Sequence, residues 1–559
     1  MSEKKIVECV PNFSEGRDKA KIEAIAGAIR SVAGATLLDV DPGADTNRTV
    51  YTFVGEPQAV LEAALAASRK AWEVIDMTLH SGAHPRMGAL DVCPFIPVSG
   101  MTMDECAELS KRFGAALAGE LGVPVYLYEH AASRPERKSL ADIRSGEYEA
   151  LADKLGRPEW KPDFGRASFV PRWGATVTGA REFLIAYNVN LNTRDQKLAN
   201  EIALTIREGG RAAKDAQGNI LKDASGATIK RPGLLKDVRA IGWYIDSYRL
   251  AQVSINLLDY HNTPLHVVFE TVKAEAEKLG MLVTGSEIVG LVPLEPLVAA
   301  GRHFLEKTGK SGGASARELV ETAVRSMGLD SVGDFDPERK VVEWACRPPR
   351  PLVSMKTFDF VDEVSNDSPA PGGGSVAALA GGLGAALASM VGNLSVGKKG
   401  YEADWKALAA LAVKAQTIKE GLLDAVDEDT AAFNAIIEAT RLPKGSEAEK
   451  IARDAALEAA NKRASEVPLQ SARLCVEAAR LCVEAAEKGN VNSVSDAGVG
   501  ALMARSGAIG AGLNVLINLG GVKDTDFVAR LEREAKELIA EAEGIEAKVL
   551  AKVRSTIGR

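Results

Sequence analysis

Residues 81–98 read SGAHPRMGALDVCPFIPV, a Gly/Pro-rich turn carrying one histidine and running into an unbroken apolar stretch. Proline and glycine exclude a regular helix from the turn. The short apolar run 92–98 behind it reads as a buried strand. Working back toward the N-terminus, the pattern predicts a strand at 6–10, then a helix with Ile22, Ile25, Ile29 and Val32 at helical spacing. Strands at 36–40 and 49–54 and a helix over 57–76 follow. The order into the quoted strand is therefore β-α-β-β-α-β. A further helix from Met103 and a strand VPVYLYE (123–129) extend it.

Past the loop PDFGRASFVPRWG (162–174) the same order repeats. It gives a strand at 183–191, a helix at 195–208, strands at 238–245 and 250–258, a helix at 264–279 and a strand at 282–292. The polar stretch 209–233 interrupts the repeat as an expected surface hairpin. Two successive split β-α-β units predict a duplicated α/β ferredoxin-like architecture. Each such sheet has one helix-covered and one free face, and two free faces across a cleft make one site.

The second half follows other rules. CRPPRPL (346–352) cannot continue a helix or a central strand, which predicts a linker over 341–353 and domains at 1–181, 182–340 and 354–559. Beyond it the pattern predicts only helices, at 374–395, 402–441, 446–488, 491–519 and 523–556, an all-α helical bundle. RLCVEAA occurs twice in tandem at 473–486, keeping Leu474, Leu481, Val476 and Val483 on a coiled-coil period. The stretch 376–394 has no charge and the length of a membrane span, but its Ala, Gly and Ser content predicts a close-packed soluble helix.

With 559 residues the chain has room for three or four compact units. A charged fraction of 26% and a hydrophobic fraction of 46% are ordinary for a globular protein. A net charge of -8, with Lys and Arg mixed among acids, gives no nucleic-acid footprint and predicts small-molecule partners. Six scattered cysteines without CxxC spacing are expected as reduced thiols in a cytoplasmic protein. MSEKKIVECV has no apolar core of a signal peptide or anchor.

Several residues are placed for chemistry. His84, on the turn just before a strand, suits proton transfer between an attacking and a leaving amine; a histidine hydrogen-bonded within its turn is the alternative, and for a lone histidine the more usual one. His80, four residues earlier, would suggest a metal pair, but Gly82 breaks the helix such spacing needs, so no metal is expected. Asp39 and Asp41 alternate with apolar residues at a strand end. Asn47 and Arg48 follow, the arginine able to fork onto a carboxylate; turn chemistry and strand capping explain them as well. Phe169, Trp173, Arg166 and Arg172 suit a planar heterocycle with an anionic tail, or a rigid hinge with a buried aromatic.

In the helical half, Gly372, Gly373, Gly374 and Ser375 open a helix whose backbone N–H groups can receive an anion, without the GK[ST] of a P-loop; a flexible turn is the alternative. In LLDAVDEDTAAFNAII, Leu422, Val426, Phe433 and Ile436 mark an apolar stripe, and Asp429 fills its missing position. One carboxylate then faces the core, where burial raises its pKa as a general acid/base near neutral pH requires; a buried aspartate satisfied by a neighbouring helix is the alternative. Asp424, Asp427 and Glu428 fall off the stripe as solvated charges. Asn514 and Asn518 share a face one turn apart and can read a heterocycle edge or bond between helices.

The strings VECVPNFSEG (7–16), TNRTVYTFVG (46–55), HPRMGALDVCPFIPV (84–98), SFVPRWGAT (168–176), IGWYI (241–245), APGGGSVAA (370–378) and NVLINL (514–519) together resemble the bifunctional formimidoyltransferase-cyclodeaminase family. The resemblance covers essentially the whole chain, in the fused domain order. It implies a transferase domain that moves a formimidoyl group from N-formimidoylglutamate to N5 of tetrahydrofolate. It also implies a helical domain that closes the product to 5,10-methenyltetrahydrofolate and releases ammonia, in histidine degradation. It puts the transferase acid/base on His84 and the cyclodeaminase aspartate on Asp429. It puts folate binding on Gly165, Arg166, Ala167, Ser168, Phe169, Val170, Pro171, Arg172, Trp173 and Gly174. Asp41, Asn47, Arg48, Gly372 to Ser375, Asn514 and Asn518 are further expected contacts. Tetrahydrofolate, which can be polyglutamylated, is a cosubstrate, and no prosthetic group or metal is implied. Family members are homo-oligomers with dimer-forming helical domains; no nucleic acid or membrane partner is implied. Two alternatives stay open: a formyl donor, and a helical domain that only binds folate or assembles the oligomer. The insertion 209–233 departs from the family pattern and bears on assembly.

Overall fold

A computed structural model describes residues 5–558 except 45, 83, 84, 216, 224, 225, 247 and 348. It divides into two compact units, one of Met1–Leu297 with Met327–Arg347 and one of Val298–Ser326 with Pro348–Arg559.

The first unit begins with β1 (Ile6–Cys9), β2 (Asn12–Phe13), α1 (Lys19–Arg30), β3 (Ala35–Gly43), β4 (Arg48–Gly55), α2 (Pro57–Val74) and β5 (Leu90–Ser99). Then come α3 (Met103–Leu121), β6 (Val125–Glu129), the short helices α4 (Leu140–Arg144) and α5 (Leu151–Leu155), and β7 (Thr176–Ala180). These strands form one sheet. β3 pairs with β4, β1 and β2 both lie between β4 and β5, and β7 and β6 add on in parallel. Period-2 alternation decides its two faces. Val7, Cys9, Tyr51 and Phe53 turn into the core with Ile25, Ile29, Leu61 and Phe113 of α1, α2 and α3. Glu8, Thr52, Asp39 and Asp41 therefore turn the other way.

The second sheet uses β8 (Ile185–Leu191), α6 (Gln196–Ile206), the short pair β9 (Arg211–Ala212) and β10 (Lys230–Arg231), β11 (Val238–Ile245), β12 (Leu250–Leu257), α7 (Leu265–Lys278) and β13 (Val283–Val289). Its order is β11-β12-β8-β13, antiparallel throughout. Counting each half's own four strands, both sheets run second, third, first, fourth. The stretch 209–233 is a paired ribbon, as expected, with β9 against β10.

The second unit takes the greater parts of α8 (Leu294–Lys307) and α9 (Ala316–Met327), two helices the sequence pattern did not single out. The short α10 (Pro337–Lys340) and α11 (Val342–Ala345) belong to the first unit and lie partly in the stretch read as linker. After α12 (Thr357–Val364), the bundle is α13 (Gly373–Ser395), α14 (Trp405–Thr440), α15 (Glu447–Lys488), α16 (Val494–Asn518) and α17 (Thr525–Ile557), each close to its expected span. Small residues set how closely these helices approach. A Cβ built at Gly507 would lie 2.8 Å from Cys475 Sγ, and one at Gly500 would lie 2.9 Å from Cys482 Sγ. The tandem RLCVEAA thus serves to seat two sulfurs over glycines. Gly373–Ser395 and Val491–Gly521 are long and apolar enough to cross a membrane, with 61% and 44% of their most apolar windows buried in the protein.

Candidate functional site

His84 lies outside the described residues, but the loop that carries it is fixed on both flanks. Asn47, in a left-handed backbone conformation (φ 49°), donates from Nδ2 to Ser81 O at 2.9 Å and accepts at Oδ1 from Gly16 N at 3.0 Å. Gly82 packs directly on that residue; a Cβ there would stand 2.9 Å from Asn47 Cβ. His80 Nε2 contacts Asn47 O at 2.8 Å, and Arg86 Nε donates to His80 Nδ1 at 3.3 Å. Nδ1 is therefore the bare nitrogen and Nε2–H the donor. Burial holds the His80 imidazole below its usual pKa, which keeps it neutral.

On the far flank, Asp91 is wholly buried. Its Oδ2 receives Arg48 Nη1 at 2.7 Å and Arg144 Nη2 at 2.5 Å, and its Oδ1 receives Met87 N at 2.9 Å. Arg48 also donates from Nε and Nη2 to Asn12 Oδ1. Asn47 and Arg48, weighed above as carboxylate ligands, are thus engaged in holding the histidine loop, the turn role that the sequence left open.

The segment Gly165 to Gly174 is strapped onto the same loop. Gly88 and Gly174 form a bridge, Ala89 N donates to Trp173 O at 2.8 Å, and Ala175 N donates to Met87 O at 3.1 Å. Gly174 takes φ 81°, and a Cβ there would meet Gly88 Cα at 2.9 Å, so only glycine fits. Trp173 is fully buried against Trp72 and donates Nε1 to Thr176 Oγ1. It supports the segment, and its ring face is taken by protein. Arg166, Ala167, Ser168, Pro171 and Arg172 are exposed, and Phe169 and Val170 half-buried. Phe169 rests on Tyr148, whose hydroxyl donates to Pro171 O. Two motifs 80 residues apart in sequence are thus one surface.

Between the free faces of the two sheets lies a cleft of about 880 Å³. Asp39 and Asp41 line it from β3, opposite Arg181, Arg339 and Lys340. Glu8 lines it too and was missed in the sequence reading, although its alternation with Val7 and Cys9 signals the outward face. Burial pushes the Glu8 carboxyl up to about 7, with Arg181 drawing it down and Glu343 pushing it up. Asp41 pairs with Val50 on the ladder whose hairpin bears Asn47, so the cleft ends where the histidine loop begins. None of Gly165 to Gly174 lines it.

In the helical unit Asp429 points from α14 at the first turn of α13. Ser375, wholly buried, donates its hydroxyl to Val426 O at 2.8 Å and reaches Asp429 Oδ2 at 3.2 Å and Thr430 Oγ1 at 3.2 Å. Gly374 has no side chain because the carboxylate occupies that space; a Cβ there would be 2.5 Å from Asp429 Cγ. Asn514 of α16 completes the group, its Nδ2 3.3 Å from a Cβ built at Gly373, while donating to Gly510 O. Burial raises the Asp429 pKa, and the hydroxyl and backbone N–H of Ser375 oppose that rise. Gly372 is the N-cap of α13. Asn518 instead bonds to Ala464 O on α15, the interhelical alternative.

Two of the charges read as solvated are half-buried and partnered. Asp424 pairs with Arg350, and Asp427 accepts Leu352 N at 2.9 Å and Val353 N at 3.2 Å. They pin the proline-rich segment to α14, a partner that has no periodic pattern to betray it. Glu428 is exposed, 3.5 Å from Arg463. Among the described residues no group of three or more His, Cys, Asp or Glu is arranged to hold a metal ion.

Family models match the chain in three consecutive blocks: the formiminotransferase domain's N-terminal subdomain over residues 6–181, the formiminotransferase domain over 186–347, and formiminotransferase-cyclodeaminase over 356–537. A formimidoyltransferase-cyclodeaminase from Gallus gallus is 46% identical over 550 residues, 98% of each chain. The chain belongs to the formimidoyltransferase-cyclodeaminase family. Each half also matches a separate protein. A glutamate formimidoyltransferase of Streptococcus pyogenes serotype M1 is 41% identical over 54% of this chain and 94% of its own. A methenyltetrahydrofolate cyclohydrolase of Methylorubrum extorquens is 40% identical over 35% of this chain and 95% of its own. The strapped histidine loop and cleft fall within the first two blocks, and the cradle of Asp429 in the third.

Proposed function

We propose that the chain is a bifunctional enzyme that transfers the formimidoyl group from N-formimidoyl-L-glutamate to N5 of tetrahydrofolate. It then cyclises 5-formimidoyltetrahydrofolate to 5,10-methenyltetrahydrofolate with release of ammonia. Tetrahydrofolate is cosubstrate and no prosthetic group takes part. In the first site His84 takes the proton of N5 as it attacks the formimidoyl carbon and returns it to the departing glutamate nitrogen. In the second, N10 attacks the same carbon, and Asp429 carries the proton with which nitrogen leaves as ammonia. The observation that most supports this reading is the seating of Asp429 on a side-chain-free turn between Ser375 and Asn514, a half-buried carboxyl with a raised pKa. The segment Gly165 to Gly174, strapped to the histidine loop, is the folate-binding segment of the first site.

The shared strand order supports a duplicated ferredoxin-like transferase at 1–181 and 182–340, a linker at 341–353 and a cyclodeaminase at 354–559. A cytoplasmic enzyme of histidine degradation fits six free thiols. Homo-oligomerisation through the helical unit is supported by exposed Val376, Leu383, Met390 and Leu394 on α13 and Leu513 and Ile517 on α16. Leu383→Glu is expected to lower the oligomer size in analytical ultracentrifugation, and an unchanged sedimentation coefficient would refute that interface. The activity itself is tested by incubating the chain with tetrahydrofolate and N-formimidoylglutamate while following methenyl absorbance and ammonia together. Replacing the donor by N-formylglutamate separates a formyl transferase. Absence of ammonia would leave the helical unit as a binding or assembly module.

A further inference from the structure

His80 stands four residues ahead of His84 and takes no part in the mechanism above. Its half-buried imidazole is held from two sides. Nε2–H donates to Asn47 O at 2.8 Å, and Asn47 itself holds Ser81 O from Nδ2. Nδ1 accepts Arg86 Nε at 3.3 Å, while Arg86 Nη2 reaches His80 O at 3.4 Å. His80 and Arg86 are thus clasped side chain to side chain, with residues 81–85 between them in the sequence. Arg86 is buried and fixed independently of the ring. It forks onto Glu149 from Nη1 at 2.9 Å and Nη2 at 2.7 Å, meets Glu147 at 3.2 Å, and accepts Tyr148 N at its own carbonyl at 2.8 Å. A cation so anchored presents a donor that only an acceptor can meet. Neutral imidazole offers one nitrogen of each kind, and imidazolium offers two donors.

We infer that His80 is a positioning residue of the transferase: as a neutral imidazole it pins the His84 loop between Asn47 and Arg86, and uptake of one solvent proton at Nδ1 releases the pin. This rests on the transferase reading of that loop. In the protonated ring Nδ1–H would face Arg86 Nε–H, two donors without an acceptor on two like charges. The other charges acting on the ring are Arg17, which opposes protonation, Glu15, which favours it, and Glu149, already forked onto Arg86. Burial and the two arginines hold the ring below its ordinary pKa against the pull of the Asn47 carbonyl and Glu15. The clasp is therefore closed at neutral pH and opens as pH falls. No proton passes from His80 to substrate; the ring acts through the loop. The segment Gly165 to Gly174 is tied down by Gly88 and by the Tyr148 hydroxyl on Pro171 O, neither of them through His80. Loss of the clasp thus falls on kcat and spares the tetrahydrofolate KM.

The test compares formimidoyl transfer by the full chain as wild type, His80→Gln and His80→Leu between about pH 5 and 8. Ammonia release from supplied 5-formimidoyltetrahydrofolate checks that the helical unit is intact. Glutamine keeps one donor for Asn47 O and one acceptor for Arg86 Nε but does not titrate, whereas leucine fills the space and keeps neither. His80→Leu, with the loop free to shift by about 1 Å, is expected to lose on the order of 100-fold in kcat with both substrate KM values within a fewfold of wild type. His80→Gln should recover most of that loss. At saturating substrates the acid limb of wild type should take up two protons, on His84 and His80, so that log kcat falls with a slope approaching about 2; the glutamine variant should fall with a slope of about 1. A purely structural His80 would change Tm and leave that slope alone. A leucine variant within a fewfold of wild type in kcat, a glutamine variant no better than leucine, or equal slopes in wild type and His80→Gln would overturn the assignment. Should His80→Leu not fold, the slope comparison on His80→Gln decides by itself. Wild type without formimidoyl transfer would instead sink the transferase reading on which it rests.

Discussion

An alanine at position 374 would set its methyl 2.5 Å from Cγ and Oδ2 of Asp429 and closer still to Oδ1. Non-bonded heavy atoms rest at about 3.5 Å, so the carboxylate has to retreat by roughly 1 Å. Two opposing terms set the effect on stability. Alanine gains about 0.5–1 kcal/mol over glycine within a helix, and overpacking a filled site costs about 1–3 kcal/mol. The net loss is about 1 kcal/mol, a fall of roughly 2–4 °C in Tm for a unit of this size. The chemistry is more sensitive, because a misplacement of about 1 Å costs on the order of 100-fold in rate. Gly374→Ala is therefore expected to stay folded, keep transferase activity and lose about two orders of magnitude in ammonia release from 5-formimidoyltetrahydrofolate. Cyclodeaminase turnover within a fewfold of wild type would show that Asp429 need not sit where it does, and the proposed site would fail.

Asp91→Asn leaves Arg48 and Arg144 buried without their counter-charge, a loss of about 3–5 kcal/mol. It should abolish transferase activity and lower the melting transition of the first unit, with the helical unit's transition and ammonia release intact by calorimetry and assay. Glu343, which accepts Leu294 N at 2.7 Å, is pushed by burial from 4.5 up to about 7. Across that window the folded chain keeps a proton that the unfolded chain has released, so stability falls as pH rises through it. Glu343→Gln removes one such proton; the first unit's Tm should fall less between pH 5 and 8 than in wild type, and an identical slope would contradict the assignment.

Much of this architecture is legible in the sequence because strands and helices repeat their polarity. VRAIGWYI and LAQVSINL are short runs rich in β-branched and aromatic residues and form β11 and β12 over nearly their expected spans. The five bundle helices are legible from their length and their Ala-rich composition without strand alternation, α13 and α16 being apolar nearly all round. Asp429 was found because a carboxylate in a stripe position breaks a pattern. What escaped depends on contacts between distant segments. The seven residues from Gly165 to Pro171 show no sign of the ladder that joins Gly174 to Gly88, and β7 is only five residues long, TVTGA, with a glycine in it. Arg48 reads as a ligand until Asp91 and Asn12 are seen around it. Glu8 reads as an ordinary surface alternation until the second sheet covers it. Asp424 and Asp427 look solvated because the segment they hold, from Arg350 to Val353, is aperiodic.

The claim that one chain carries two separate active sites is tested most directly by measuring both reactions on His84→Ala and on Asp429→Ala. The account predicts that His84→Ala loses formimidoyl transfer while still releasing ammonia from supplied 5-formimidoyltetrahydrofolate. It predicts the reverse for Asp429→Ala, which should accumulate 5-formimidoyltetrahydrofolate. Loss of both activities in either folded variant, or retention of the activity assigned to the residue replaced, would contradict it.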